Sequence, residues 1–368
     1  MGYTIQQIAE ALGMEMAGNA ALRVDAAREP KDAQPDDLAL AMKADYAEDL
    51  QNGAARAAML WDGADWRQLG LEAAIFVPRP RFALAGLTRM FDAGQGWAPG
   101  IHRSAVVDDS AELGADVSVG PLAVIGPGAR IGDGSTIGPQ AYIGTDVVIG
   151  RDALVREGAR ICARVVIGDR FIAQPNAVVG GDGFSYVTPE VSGAERVRET
   201  LGDQGEIKSQ VYDRIHSLGA VRLGDDVEVG SLSAVDRGTI RDTVVGNGSK
   251  IDNLVQVGHN CVIGDNSLLC GLVGLAGSVT VGNNVILAGQ TGVADNVFIG
   301  DNVITGGATT VLSNIPAGRV MLGYPAMKME TAMDVFKGLR RLKRLFADVD
   351  RLKSSAGPSA GSDAKATD

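Results

Sequence analysis

The amino-acid sequence predicts a mainly β chain: a parallel β-helix of hexapeptide repeats, with an α/β domain before it and a helix after it. Three observations carry this. An aliphatic or small residue recurs at every sixth position, usually followed by Gly, from Leu113 to Val179. The beat returns at Leu223, Val229 and Val235, then runs from Val245 to Ala317. A fixed hexapeptide period marks a solenoid in which each hexad supplies one short strand and one turn. Residues 1–100 lack the beat, and residues after 326 replace it with helical spacing.

Within residues 1–100, Ile5, Ile8, Ala9 and Leu12 fit a short amphipathic helix ending at Gly13. Ala73–Val77 reads as a buried strand before Pro78, and Phe82–Phe91 as a helix. Gly94 to Gly100 reads as a linker. The β-helix is expected over 101–325. Three hexads close a triangular coil of about 18 residues, with about 4.8 Å between coils. The repeating apolar residue points inward, and the Gly after it is expected to permit a tight corner. Residues 181–217 interrupt the beat with a polar insertion, of the kind that builds a binding wall on a solenoid. Extra residues at Asp236–Thr243 shift the phase once more, and the coil is expected to end near Gly323-Tyr324-Pro325. Over 326–353, Val335, Leu339, Leu342, Phe346 and Val349 form one apolar seam suited to helix–helix packing. Residues 354–368 are small and polar, and are predicted to be disordered.

Composition narrows the function. Aromatics make up 5% and there are 49 glycines among 368 residues, which suits a thin prism filled with Val, Ile and Ala. A net charge of −11 argues against nonspecific nucleic-acid binding. Cys162, Cys261 and Cys270 are too scattered for a disulfide framework or a zinc site, so no metal is expected. The opening residues read as neither a signal peptide nor a membrane span, so a cytoplasmic location is expected, with peripheral membrane contact left open.

The chain has three histidines, His102, His216 and His259, spread over the first coil, the insertion and the later coils. A three-histidine zinc site would need all of them. His259 lies two residues after the inward Val257, so its side chain should leave the prism. Imidazole there suits proton transfer at neutral pH. Spacing alone equally allows a surface or subunit-contact histidine. One coil further on is Gly277 and one more is Asp295, which should stack along the same edge. Gly277 is either an ordinary corner glycine or a backbone N–H donor with no side chain to block a substrate.

The segments GDGFSY (180–186 region), AVDRG (234–238) and IDNLVQVGHNCVIGDN (251–266) resemble the UDP-3-O-(3-hydroxyacyl)glucosamine N-acyltransferases of lipid A and lipopolysaccharide biosynthesis. IFVPRPRFALAGL (75–87) is similar to that family's N-terminal domain. The resemblance implies a left-handed β-helix, a homotrimer with active sites between neighbouring prisms, His259 as general base and Gly277 as oxyanion amide. It implies a 3-hydroxyacyl donor carried as a phosphopantetheine thioester on acyl carrier protein, with no other cofactor. The implied acceptor is the 2-amine of UDP-3-O-acylglucosamine. Thr310, in the stretch Ala308–Leu312, corresponds to where the family gauges acyl length. Asn296 falls where some relatives carry a second histidine. Uridine would meet Tyr46 and Lys43, although the family's Phe and Asn positions are here Leu40 and Lys43. Seven basic residues against three acidic ones in 333–353 give a local +4 that would complement an acidic carrier protein. A related sugar O-acyltransferase, an acetyl-CoA-dependent acetyltransferase and a noncatalytic scaffold remain as alternatives.

Overall fold

The computed structural model describes residues 2–200, 202–206, 209–323 and 325–355. The chain divides after Trp97 into two compact units.

In the first unit, five strands lie in the spatial order Met16–Gly18, Ala73–Val77, Ala57–Trp61, Asp37–Ala41 and Ala26–Arg28. The first pair is antiparallel and the others are parallel. Helix α1 (Ile5–Leu12) starts at a Thr4–Gln7 capping box and stops at Gly13, whose φ of 63° is left-handed. With α3 (Pro80–Phe91), it buries Ile5, Ile8, Ala83 and Leu87 against one sheet face. The short α2 (Ala47–Asn52) covers the other face through Leu50.

The second unit is the β-helix. Its two-residue strands stack into three parallel sheets of ten, ten and nine strands. The register is set by inward residues one coil apart, as in Ile125↔Ile143 and Ile143↔Ile161. Every inward position from Val119 to Val311 in the two runs is buried, and all but the polar Thr305 belong to one continuous hydrophobic core. Parallel strands buried on their inner face need such aliphatic columns.

The glycine that usually follows an inward residue has a different reason from the one expected. A Cβ on Gly132 would lie 2.6 Å from the carbonyl oxygen of Gly150 in the next coil. The requirement is close approach between stacked corners. The left-handed residue comes two positions later, where Asp116, Asp146, Asn176 and Asn260 have φ of 54–61°. Corner Asp and Asn side chains also cap amides of the preceding coil. Asp133 accepts from Ala115 N at 2.7 Å, and Asp169 from Arg151 N at 2.8 Å.

Two departures from the 18-residue coil occur where the sequence breaks its beat. Val179 pairs with Val235, because the chain leaves after Val178–Gly181 and returns at Val221–Leu223. The excursion has an antiparallel ladder of Tyr186–Val187 with Asp213–Arg214, and beyond it α4 (Gly193–Thr200). Arg237 holds its base: the buried guanidinium donates to Gly180 O and Ala163 O, both at 2.7 Å. The second departure lets Val235 pair with Val257 across a widened turn.

The last coil corrects the expected beat. Ala317 is exposed, and Ile315 takes the inward place and bridges to Ile299. Pro316 follows directly, and Asn314 Oδ1 caps Phe298 N at 2.8 Å, so the final turn closes early. Of the expected end at Gly323–Pro325, Tyr324 lies outside the described residues. Helix α5 spans Met329–Ser355 and buries none of its residues. It therefore includes Ser354 and Ser355, which the sequence assigned to a disordered tail; residues 356–368 of that tail lie outside the described residues. No described helix is long and apolar enough to cross a membrane.

Candidate active site

His259, Gly277 and Asn296 come together in one open cleft of about 680 Å³. Three successive coils supply its floor: His259, then Ala276, Gly277 and Ser278, then Asp295 and Asn296. The excursion supplies its wall, with Phe184, Ser185, Tyr186 and Tyr212. The stacking is fixed by the ladder. Ser278 N donates to His259 O at 2.9 Å, and Asn296 N to Gly277 O at 3.1 Å.

Two glycines enclose the imidazole. A Cβ on Gly277 would lie 2.6 Å from His259 Cε1 and 2.8 Å from Nε2. A Cβ on Gly183, in the excursion, would lie 2.7 Å from His259 Cβ. Neither position can take a side chain without moving the ring. Nδ1 is buried and has no hydrogen-bond partner among the described residues, which leaves Nε2 as the ring nitrogen open to the cleft.

Where the next coil brings a suitably placed Asp or Asn, a corner amide is capped, as Asn283 N is by Asp301 at 2.7 Å. Here the next coil brings Asp295, and the Gly277 amide makes no hydrogen bond among the described residues. An uncapped N–H at the floor of a cleft, beside an imidazole, can donate to an oxyanion.

Thr310 lies elsewhere on the same sheet. Gln256, Gly274, Gly292 and Thr310 stack in register on successive coils. A Cβ on Gly274 or Gly292 would meet nothing within 4 Å, so the outer face is open at these two positions. Thr310 does not line the cleft itself. Tyr46 and Lys43 belong to the first unit. Tyr46 closes a 3₁₀ turn, is 37% exposed, and donates its N–H to Lys43 O at 3.0 Å. His102 is exposed and bonds Ser104 Oγ at 2.9 Å, and His216 is exposed in the excursion; neither lines the cleft. Cys261 is buried, donates to Ala276 O, and burial pushes its thiol up to about 11, which removes it as a nucleophile.

Sequence reasoning expected a wall from 181–217 and quoted Phe184 and Tyr186 within GDGFSY, but gave them no role and did not single out Tyr212. The signal was present: exposed aromatics in a polar insertion of a chain poor in aromatics. It also missed a recess of about 410 Å³ that shares His259 and Gly277 with the cleft and adds Asp182, Asp236 and Gln256. Burial pushes the Asp236 carboxyl up to about 6; a hydrogen bond from Gln256 opposes this and the charge of Asp182 adds to it.

Residues 128–163 and 242–277 match the bacterial transferase hexapeptide family, described as six repeats. A Ruegeria pomeroyi protein named UDP-3-O-acylglucosamine N-acyltransferase is 64% identical over 98% of this chain and 100% of its own length. A Paracoccus denitrificans protein of the same name is 55% identical over 71% of each chain. Among solved structures, an Arabidopsis UDP-N-acetylglucosamine acyltransferase superposes with a TM-score of 0.51 at 24% identity, covering 61% of this chain and 71% of that one. That last likeness concerns the fold.

Proposed function

The chain belongs to the UDP-3-O-acylglucosamine N-acyltransferase family, and from that premise we propose that it moves a 3-hydroxyacyl chain from acyl carrier protein to the 2-amine of UDP-3-O-acylglucosamine. It is an acyltransferase of lipid A biosynthesis. The observation that supports the finer reading is the imidazole of His259, enclosed by Gly183 and Gly277 at the floor of the cleft.

In this reading His259 Nε2 takes a proton as the amine attacks the thioester carbon. The carbonyl oxygen becomes an oxyanion that accepts from the Gly277 N–H. The C–S bond then breaks, and the carrier thiolate takes the proton from the imidazolium. The aromatic wall supports the thioester arm, and Asn296 hydrogen-bonds substrate. In this reading the open face at Gly274 and Gly292 takes the acyl chain, with Thr310 one coil further on. The first unit binds uridine through Tyr46 and Lys43. The reading includes a cytoplasmic homotrimer whose α5 basic face meets the carrier protein.

The test is N-acyl transfer from 3-hydroxyacyl carrier protein by wild type and His259→Ala. A loss of about 10²-fold or more in kcat is expected. Unchanged turnover removes His259 as base. Efficient use of a short acyl-CoA in place of the carrier-borne donor favours the sugar acetyltransferase alternative.

A further inference from the structure

Amide formation makes a demand that a general base does not meet alone. A primary amine on a sugar arrives near neutral pH partly as ammonium, and it must be held with its future lone pair toward the thioester carbon. The recess beside His259 contains a group of matching charge. Asp236 lines it together with Asp182, Gln256, Gly258 and His259.

The charges around Asp236 are already committed elsewhere. Arg237, its chain neighbour, turns to the carbonyls of Gly180 and Ala163 at 2.7 Å. Asp182 is paired with Arg214 at 2.7 Å and lies 4.0 Å from Arg237. His259 shares the recess with Asp236, and Cys261 nearby is a buried thiol. Asp236 is left with one neutral donor, Gln256, and forms no ion pair among the described residues. Burial holds its carboxyl up at about 6, with Gln256 opposing and Asp182 adding to the rise. A half-buried carboxylate without a counter-cation destabilises the folded chain, and a bound cation would offset that cost.

We propose that Asp236 is the acceptor's amine-binding residue, its carboxylate accepting hydrogen bonds from the 2-ammonium group and holding it beside His259. This rests on the N-acyl-transfer reading above. The bound ammonium releases one proton to water. The neutral amine then forms the C–N bond while His259 takes the second proton and passes it to the departing thiolate. Ammonium and thioester thus give amide, thiol and one free proton.

The experiment compares UDP-3-O-acylglucosamine with the same nucleotide sugar carrying a 2-hydroxyl in place of the amine. Binding of each is measured by calorimetry at pH 7.5 to wild type, Asp236→Asn and Asp236→Glu. Wild type is expected to bind the amine at least about 10-fold tighter, in line with a charge-assisted hydrogen bond. Asp236→Asn is expected to lose that preference while holding the hydroxyl compound within about 3-fold, which also reports an intact cleft. Asp236→Glu keeps the charge and should keep part of the preference. An amine preference equal in wild type and Asp236→Asn, or variants Asn and Glu that behave alike, overturns the proposal. Wild type that binds neither compound overturns the acceptor assignment and this proposal with it. Wild type that transfers acyl groups with an Asp236-independent preference overturns this proposal alone.

Discussion

His259 is held by what its neighbours lack. The ring has no hydrogen-bond partner on Nδ1 among the described residues, and its position comes from contact with two glycines. Gly277→Ala would place a methyl 2.6 Å from Cε1 and push the ring away from the cleft floor. Activity is expected to fall about 10²-fold, the scale of lost proton transfer, with the melting temperature nearly unchanged. A variant that retains full kcat shows that ring placement does not limit turnover. Asp236 offers a second test, in stability. Its folded carboxyl titrates at about 6, above the ordinary 3.8, so between those values the native chain keeps a proton that the unfolded chain has lost. Stability therefore falls as pH rises through that window and stays lower above it. Asp236→Asn removes the titration, and should melt about 2–4 °C higher than wild type at pH 8 and at the same temperature at pH 4. A shift of equal size at both pH values would contradict the raised carboxyl. His259 and Gly277 were legible from an 18-residue spacing together with family-like motifs. The roles of Gly183 and Asp236 were not, because each depends on a contact made across the excursion or the widened turn.

At the scale of elements, the coil face is open at Gly274 and Gly292. Gly292→Leu adds a side chain with nothing within 4 Å of its Cβ, so the fold should tolerate it while the proposed acyl-binding face is obstructed. The expected result is a change in donor preference: transfer of long acyl chains falls about 10-fold relative to short ones, in keeping with the cost of several methylenes losing their apolar contact. Competition between two chain lengths in one reaction measures this, and an unchanged ratio places the acyl chain elsewhere. The sequence marked the excursion at 181–217 by loss of the beat, but it did not show that Arg237, far along the chain, anchors the base of that excursion. Helix α1, by contrast, was legible from its apolar spacing and its stop at Gly13, while the Thr4–Gln7 capping box that starts it emerged from the structure.

At the scale of the whole molecule, α5 presents Val335, Leu339, Leu342 and Phe346 at 40–64% exposure. A helix that buries nothing has its apolar seam free for a partner helix. The proposed trimer predicts that Leu339→Ser combined with Phe346→Ser lowers the assembled fraction at micromolar protein in sedimentation, with the coil still folded by circular dichroism. A monomer in wild type would remove the shared-cleft arrangement.

The sequence by itself determined the architecture of the coil, because a solenoid is held by nearest-neighbour contacts that repeat at a fixed spacing. The inward column up to Val311, the two phase breaks and the stop of α1 at Gly13 were readable from local order. It also determined the family, through short contiguous motifs in the first unit, the excursion and the coils. The tertiary structure alone decided why the corner glycines are needed, where the beat ends at Ile315, and which groups meet His259. The physical reason is the same in each case. Close approach, burial of a carboxylate and an uncapped amide arise between coils, where residues 18 to 76 positions apart become neighbours and no local pattern records their distance.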